Sequence, residues 1–455
     1  MRRRFDLTRP ELGSGIAAIM REAGVPDGFP AAVLEEADRA SASGERIRSE
    51  LPFVTIDPPG SRDLDQALHI ERGGRGYRVS YAIADVGALV RAATPLDAEA
   101  RTRGVTVYAP DAKAPLYPPA LSEGSGSLLP GQRRPAVLWT IDLDADGRQL
   151  SASVARAELQ STAQHTYADL PADLGALLAE VGDLRAAIER ERGGVSLRLP
   201  EQEVVPDGAG GWTIAYRAPL AAEDHNAQIS LLTGMAAAEL MLAAGYGILR
   251  VQPPPDERAI GRFRLQARAL GVEWPSGSSY PELIRSLDPA QPRQAALLQE
   301  AAGIGRGAGY EAFDGTPPKQ RTHFSIAADY AHATAPLRRL QDRWVSECCL
   351  AASAGAEPPG WVREGLAALP EQMHEGDHRA SVVERGVVDL VEAAILAGRE
   401  GERFAGIVID ERVVQLAEPA VRAPVEGDCP DPGAEVEVRL AAADPAARTV
   451  RFDVV

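Results

Sequence analysis

The spacing of apolar and polar positions changes character along this chain, and the changes mark out its elements. Within residues 1–50 apolar residues recur at helical spacing over Pro10–Ala23 and again over Pro30–Ala42, around the breaker Gly24-Val-Pro-Asp-Gly-Phe-Pro30. Residues 51–160 switch to short β-patterned runs: Phe53–Ile56, Tyr77–Ala84 behind Gly73-Gly74, and Ala136–Leu143 ahead of Asp146-Gly147. From about Asp169 to Ala397 helical spacing dominates, with the long apolar Gln228–Ala244 and with Arg258–Leu270 after Pro253-Pro254-Pro255. Short strands return after Gly401, at Phe404–Ile409, Val413–Leu416, Glu435–Leu440 and Thr449–Val454. So many short strands, parted by Gly, Pro and Asp, predict a small OB-type β-barrel. The expected architecture is α+β and multidomain: a helical module over 1–50 with a helix-turn-helix-like layout, a domain of mixed sheet and surrounding helices over 51–398, and a barrel over 401–455. No internal repeat breaks this pattern.

Composition narrows the setting more than the function. At 455 residues the chain exceeds one average domain. It holds no run of about 18 apolar residues, so no spanning helix and no membrane partner are expected. Its start, Met1-Arg-Arg-Arg4, lacks the apolar stretch of a signal peptide. The three cysteines, Cys348, Cys349 and Cys429, suggest neither a disulfide framework nor zinc spacing. A reducing, cytoplasmic location is the expectation. The net charge of −17 argues against a surface that binds nucleic acid broadly, yet leaves room for a local basic channel. Lys113 and Lys319 are the only lysines; the other cations are arginines, which suit bidentate phosphate contacts.

Two segments carry candidate chemistry. Thr55-Ile-Asp57-Pro-Pro-Gly-Ser-Arg-Asp63-Leu-Asp65-Gln66 puts three carboxylates on a turn at the end of a strand. Their mutual repulsion calls for a cation, and hard oxygen ligands suit Mg²⁺ or Mn²⁺ completed by phosphate oxygens. By itself the triplet reads equally as a solvated acidic turn. The other segment is Tyr330-Ala-His-Ala-Thr-Ala-Pro-Leu-Arg-Arg-Leu-Gln-Asp342. Pro336 suits the first turn of a helix, with Leu337, Leu340, Trp344 and Cys348 along one face. Arg338 and Arg339 then sit against the positive end of the helix dipole, a conflict that a docked phosphate would relieve. Pairing of Asp342 with either arginine is the plain alternative.

Taken together these segments resemble the RNB catalytic domain of the ribonuclease II / ribonuclease R exoribonucleases. The resemblance runs over roughly residues 51–396. It includes Ile83-Ala-Asp-Val86, Leu96-Asp97, Arg103-Gly104, Val107-Tyr108, Pro118-Pro-Ala-Leu-Ser122, Arg192-Gly-Gly194, Arg250-Val251, His323-Phe324 and Val383-Glu384-Arg385 in order, besides the two segments above. It implies 3′-to-5′ processive hydrolysis of single-stranded RNA to nucleoside 5′-monophosphates by a divalent-metal mechanism, with Mg²⁺ as the ion or Mn²⁺ in its stead. It implies Asp57, Asp63 and Asp65 as metal carboxylates, with Gln66 as a neutral oxygen donor, and Asp65 and Arg338 as catalytic. For RNA contact it implies Tyr167, Thr334, Arg338, Arg339 and Glu384. A terminal OB-fold that binds RNA is implied too, and a monomer without an obligate protein partner is expected. The chain also departs from the family pattern. Gln66 stands where a fourth carboxylate is usual, Ala82 and Gln252 where histidines are, and Gly234 where an asparagine is. Two other readings share these residues: a weakly active or inert RNA-binding protein, favoured by Gln66, and a Mg²⁺-dependent phosphohydrolase of small phosphate esters using Asp63-x-Asp65.

Overall fold

The structure is a computed structural model that describes residues 9–74, 76–110, 112–195, 201–206, 212–217, 220–288, 291–304, 307–416 and 418–455. Residues 1–4, read above for a leader, lie outside that set.

A six-stranded mixed sheet forms the scaffold, in the order Ile47–Arg48, Gln149–His165, Phe53–Ile56, Gln66–Gly73, Gly76–Ala84, Arg133–Leu143. The last strand also pairs with residues 149–160 of Gln149–His165, so the five longer strands close into a ring with Ile47–Arg48 beside it. One 17-residue strand thus serves three neighbours, antiparallel to Arg133–Leu143 and parallel to Ile47–Arg48 and Phe53–Ile56. Tyr81, Ile83, Val137 and Trp139 are buried in the main core, whereas Phe53, Ala82, Ala136 and Leu138 fill a second cluster on the opposite side of the pleat.

Helices cover this sheet. Ala221–Ala244 is long and apolar enough to cross a bilayer by length and composition, contrary to the sequence expectation. Here half of its most apolar window is buried in protein, and its buried positions include Asn226, Gln228 and Thr233. Gly234 explains its own presence. An added Cβ would lie 2.2 Å from Tyr330 Cε2 and 2.4 Å from the Ala331 carbonyl oxygen, and that carbonyl's own residue donates its N–H to Gly234 (3.1 Å).

The N-terminal helices, Arg9–Glu22 and Ala31–Asp38, do not build a separate core. Leu12, Ile16 and Ile19 join the main cluster with Val387 and Leu390 of the helix Leu369–Leu396. The second helix packs on Pro95–Arg103, where the Glu36 carboxylate accepts the Leu96 N–H (2.9 Å).

The C-terminal domain is a closed five-stranded barrel of the OB/S1 type, as the short-strand pattern predicts. Its order is Arg403–Asp410, Val413–Leu416, Arg422–Glu426, Thr449–Val454, Glu435–Asp444. Arg422–Glu426 is the strand the pattern missed. Pro424 sits in it, and proline lowers any strand assignment, although Ala423 and Val425 alternate inward as a strand requires.

Candidate active site

Two turns far apart in sequence meet at one place. The first leaves Phe53–Ile56, whose parallel pairing sets Ile56 opposite His165; the Asp57 N–H then donates to the His165 carbonyl (3.0 Å). Ser127 pins the turn, its hydroxyl donating to the Arg62 carbonyl (2.6 Å) and accepting the Leu64 N–H (2.9 Å). Leu64 is fully buried and Asp65 is 6% exposed beside it. Asp63, nearer solvent, accepts from the Tyr108 hydroxyl (3.2 Å) and from Lys113 (3.4 Å).

The second turn is Ala335–Arg339, and here the expected helix starts late. Helical hydrogen bonding begins at Leu340, with Arg339 extended before it (φ −133°). Two local causes hold the turn open. Asp342 accepts the Ala335 N–H (2.7 Å) and grips the Arg339 guanidinium through both oxygens (2.9 and 3.1 Å). Backbone bonds also stitch the segment to a neighbouring loop: Thr106 N–H to the Arg338 carbonyl (3.0 Å) and Leu340 N–H to the Gly104 carbonyl (2.9 Å). Asp342, in the first helical turn, also supplies the negative charge the dipole favours there.

The turns are joined through Asp65. Its Oδ1 accepts the Leu337 N–H (2.7 Å), and its Oδ2 lies 3.7 Å from Arg338 Nε. The Arg338 side chain remains 45% exposed, so its head can serve a ligand as well as Asp65. Burial pushes the Asp65 carboxyl up to about 8, against the pull of Arg338 and of the Leu337 N–H. Burial, and then the Asp63 charge, raise Asp57 to about 7 despite Arg338. Asp57 Oδ2 is buried without a hydrogen-bond partner. An unpartnered carboxylate oxygen and two carboxyls held above their usual range are what a cation would relieve. Among the described residues no three Asp, Glu, His or Cys side chains form a ready-made cage. The residues therefore fit an ion that takes one or two protein carboxylates and completes its shell with water and phosphate.

The other expected residues divide. Tyr167 is at the site: it follows the strand that pairs with Phe53–Ile56, feels the Asp57 charge, and accepts from Asn226 Nδ2 (3.3 Å). Arg339 and Thr334, expected to touch RNA, are bonded within the protein. Arg339 is committed to Asp342, and Thr334 is 3% exposed with its hydroxyl on that of Ser230 (2.8 Å). Gln66, expected to offer oxygen to an ion, has both ends of its amide engaged, Nε2 donating to the Thr334 carbonyl (2.7 Å) and Oε1 accepting from the Tyr81 hydroxyl. Glu384 is exposed on Leu369–Leu396, and among the described contacts none links it to the acidic turn or to Arg338.

The same helix brings a residue that sequence reasoning missed. Asp377, seven positions earlier, lies 3.6 Å from Arg250. Arg250 in turn covers the Tyr310 ring (4.5 Å), and the Tyr310 hydroxyl pairs with His332 Nδ1 (2.8 Å). This polar wall backs the segment that ends in Arg338. Its members come from separate elements, so no spacing announces them; Arg250 within Arg250-Val251 and His332 within the Tyr330–Asp342 segment were the available signals.

Comparisons with known proteins identify the family and the fold. A family model described as RNB domain matches residues 46–351, and one described as RNase II-type exonuclease C-terminal S1 domain matches residues 402–455. Ribonuclease R of Escherichia coli (strain K12) is 29% identical over 444 residues, which takes in 87% of this chain and 53% of that protein. Ribonuclease R of Aquifex aeolicus is 28% identical over 439 residues, 86% of this chain and 59% of that one. The chain spans little more than half the length of these curated relatives. Among solved structures, RNase R of Mycoplasma genitalium in complex with ribose methylated single-stranded RNA has a TM-score of 0.87 at 19% identity, covering 98% of this chain and 78% of that one. A yeast pseudonuclease, Ssd1, has a TM-score of 0.71 at 15% identity, covering 94% and 57%. At such identities the structural likeness is one of fold.

Proposed function

The chain belongs to the RNB-domain family, and from that premise we propose that it is a hydrolytic 3′-to-5′ exoribonuclease that shortens single-stranded RNA processively to nucleoside 5′-monophosphates. The observation that carries this reading is the 3.7 Å approach of the half-exposed Arg338 to the buried Asp65. A guanidinium and a carboxylate group brought together from opposite ends of the domain can act on one phosphodiester.

Asp57, Asp63 and Asp65 would supply the carboxylates for Mg²⁺, or Mn²⁺ in its stead, with no more than two of them on one ion. The bound ion supplies a water of lowered pKa and charge stabilisation for the departing oxygen. The rest falls to the chain's own side chains. Arg338 donates to the non-bridging phosphate oxygens, where charge grows in the transition state. Asp65 fixes that guanidinium and, through Leu337 N–H, the turn that carries it. The Tyr167 ring packs against the terminal nucleotide, with Asn226 setting its hydroxyl. The same reading takes the chain as a cytoplasmic monomer; light scattering of the purified protein tests the oligomeric part.

Incubation of 5′-labelled single-stranded RNA with Mg²⁺ tests the activity. The expected result is a ladder receding from the 3′ end with 5′-monophosphates released; internal cuts would contradict it. One observation favours a second reading, an inert RNA-binding protein: the place of a carboxylate is taken by Gln66, whose amide is bonded at both ends. Retained RNA binding without shortening would select that reading.

A further inference from the structure

We propose that Gln66 is a positioning residue that clamps the Arg338 turn onto the acidic turn, and that this chain uses the position for that purpose and not for a metal ligand. The inference rests on Arg338 being the phosphate contact and deepens that assignment.

The chemistry of its partners selects an amide here. The Thr334 carbonyl can only accept, so the group facing it must be the amide nitrogen, 2.7 Å away. That leaves Oε1 toward the Tyr81 hydroxyl, which donates to it. Tyr81 is itself fixed, 1% exposed in the middle of Gly76–Ala84. Thr334 is fixed from the other side by Ser230 on Ala221–Ala244. The neighbouring Asp65 accepts the Leu337 N–H. Two consecutive residues therefore hold positions 334 and 337, the two sides of the turn that presents Arg338. A carboxylate at 66 would set lone pairs against the Thr334 carbonyl oxygen, 2.7 Å from the atom that now donates to it. Glutamine satisfies both partners at any pH, whereas an ionised carboxylate has no proton to give the Thr334 carbonyl.

The test reads RNA binding without any divalent ion, so it does not depend on hydrolysis. Gln66→Met keeps the length and removes both hydrogen bonds; Gln66→Asp installs the carboxylate. Affinity for a fluorescent single-stranded RNA in EDTA is measured for each, with and without Arg338→Ala, alongside the Mg²⁺ dependence of hydrolysis. The expected result is about tenfold weaker metal-free binding for both variants. On the Arg338→Ala background Gln66→Met should add less than about twofold, since it acts through that arginine. Gln66→Asn, a shorter amide that falls short of the Thr334 carbonyl, gives the same reading should the other variants fail to fold. Equal losses on both backgrounds would overturn the proposal. So would unchanged metal-free binding with a lowered Mg²⁺ requirement in Gln66→Asp, which would make position 66 a ligand seat. Absence of RNA shortening by the parent protein would count against the nuclease reading alone.

Discussion

Asp65 joins the two turns of this site, and its environment gives the sharpest pH expectation. Burial keeps protons on Asp57 to about 7 and on Asp65 to about 8 while no ion is bound. A divalent ion must displace them, so apparent Mg²⁺ affinity should climb with pH through that window and level off above it. Calorimetry in buffers of different ionisation enthalpy should register net proton release near neutrality; pH-independent affinity would contradict the assignment. His323 is shifted in the other direction. Burial, aided by Arg250, lowers it from 6.5 to about 4, so the fold holds it neutral while the unfolded chain protonates it at higher pH. Its contribution to stability is therefore present above about 6.5 and is lost as pH falls through about 4. His323→Asn should flatten the acid side of a denaturation-versus-pH curve over that interval, and an unchanged slope would show the histidine to be solvated.

Close approach between elements decides whether the Arg338 turn is seated. Gly234 lies against the segment that leads into it, and a Cβ there would lie 2.2 Å from the Tyr330 ring. Gly234→Ala should cost on the order of 1–3 kcal/mol in urea melts by overpacking, and should lower hydrolysis beyond what stability explains. A neutral effect would mean that the Tyr330 segment has slack. This contact also shows what could be read from sequence. Asp57, Asp63, Asp65 and Arg338 stood out because each lies in a dense local motif, and the ordered motifs pointed to the domain. The strands Phe53–Ile56 and Gly76–Ala84 and the terminal barrel were legible from period and punctuation. The pair Tyr246–Val251 and Gly309–Asp314 was not, because Tyr246-Gly-Ile-Leu-Arg-Val251 is almost continuously buried and resembles a helical run. The late helix start was hidden too, since it depends on Asp342 and on bonds to residues 104–106. Gln66 could be identified as a departure, but its partners Tyr81 and Thr334 lie on other elements.

At the scale of the whole molecule, Leu369–Leu396 is the common strut. It packs on the N-terminal helix, passes Asp377 along the site's polar wall, and buries Ala393 and Leu396 in the barrel core. Glu392 on this helix accepts the Arg422 N–H (2.8 Å), and Arg448 of the barrel pairs with Glu22 (2.5 Å). The barrel itself is poorly equipped to grip RNA. Residues 401–455 hold eleven acidic side chains against six arginines, and their two aromatics, Phe404 and Phe452, pack edge-on inside it (5.8 Å). Arg403→Ala and Arg451→Ala, which remove arginines already paired with Glu437 and Glu426, should each change RNA affinity by less than about twofold in filter binding. A tenfold loss would move the RNA path onto the barrel. The central claim, that Asp65 and Arg338 act on one phosphate, is tested most directly by single-turnover hydrolysis of Asp65→Asn, Arg338→Ala and the double variant. Groups that work as a unit are not additive, so each single change should slow cleavage at least about a hundredfold and the double should be within about threefold of the slower single. Asp65→Asn should also bind RNA nearly as the parent does. Losses that multiply in the double variant would mean that the carboxylate and the guanidinium serve separate steps, and would contradict the account.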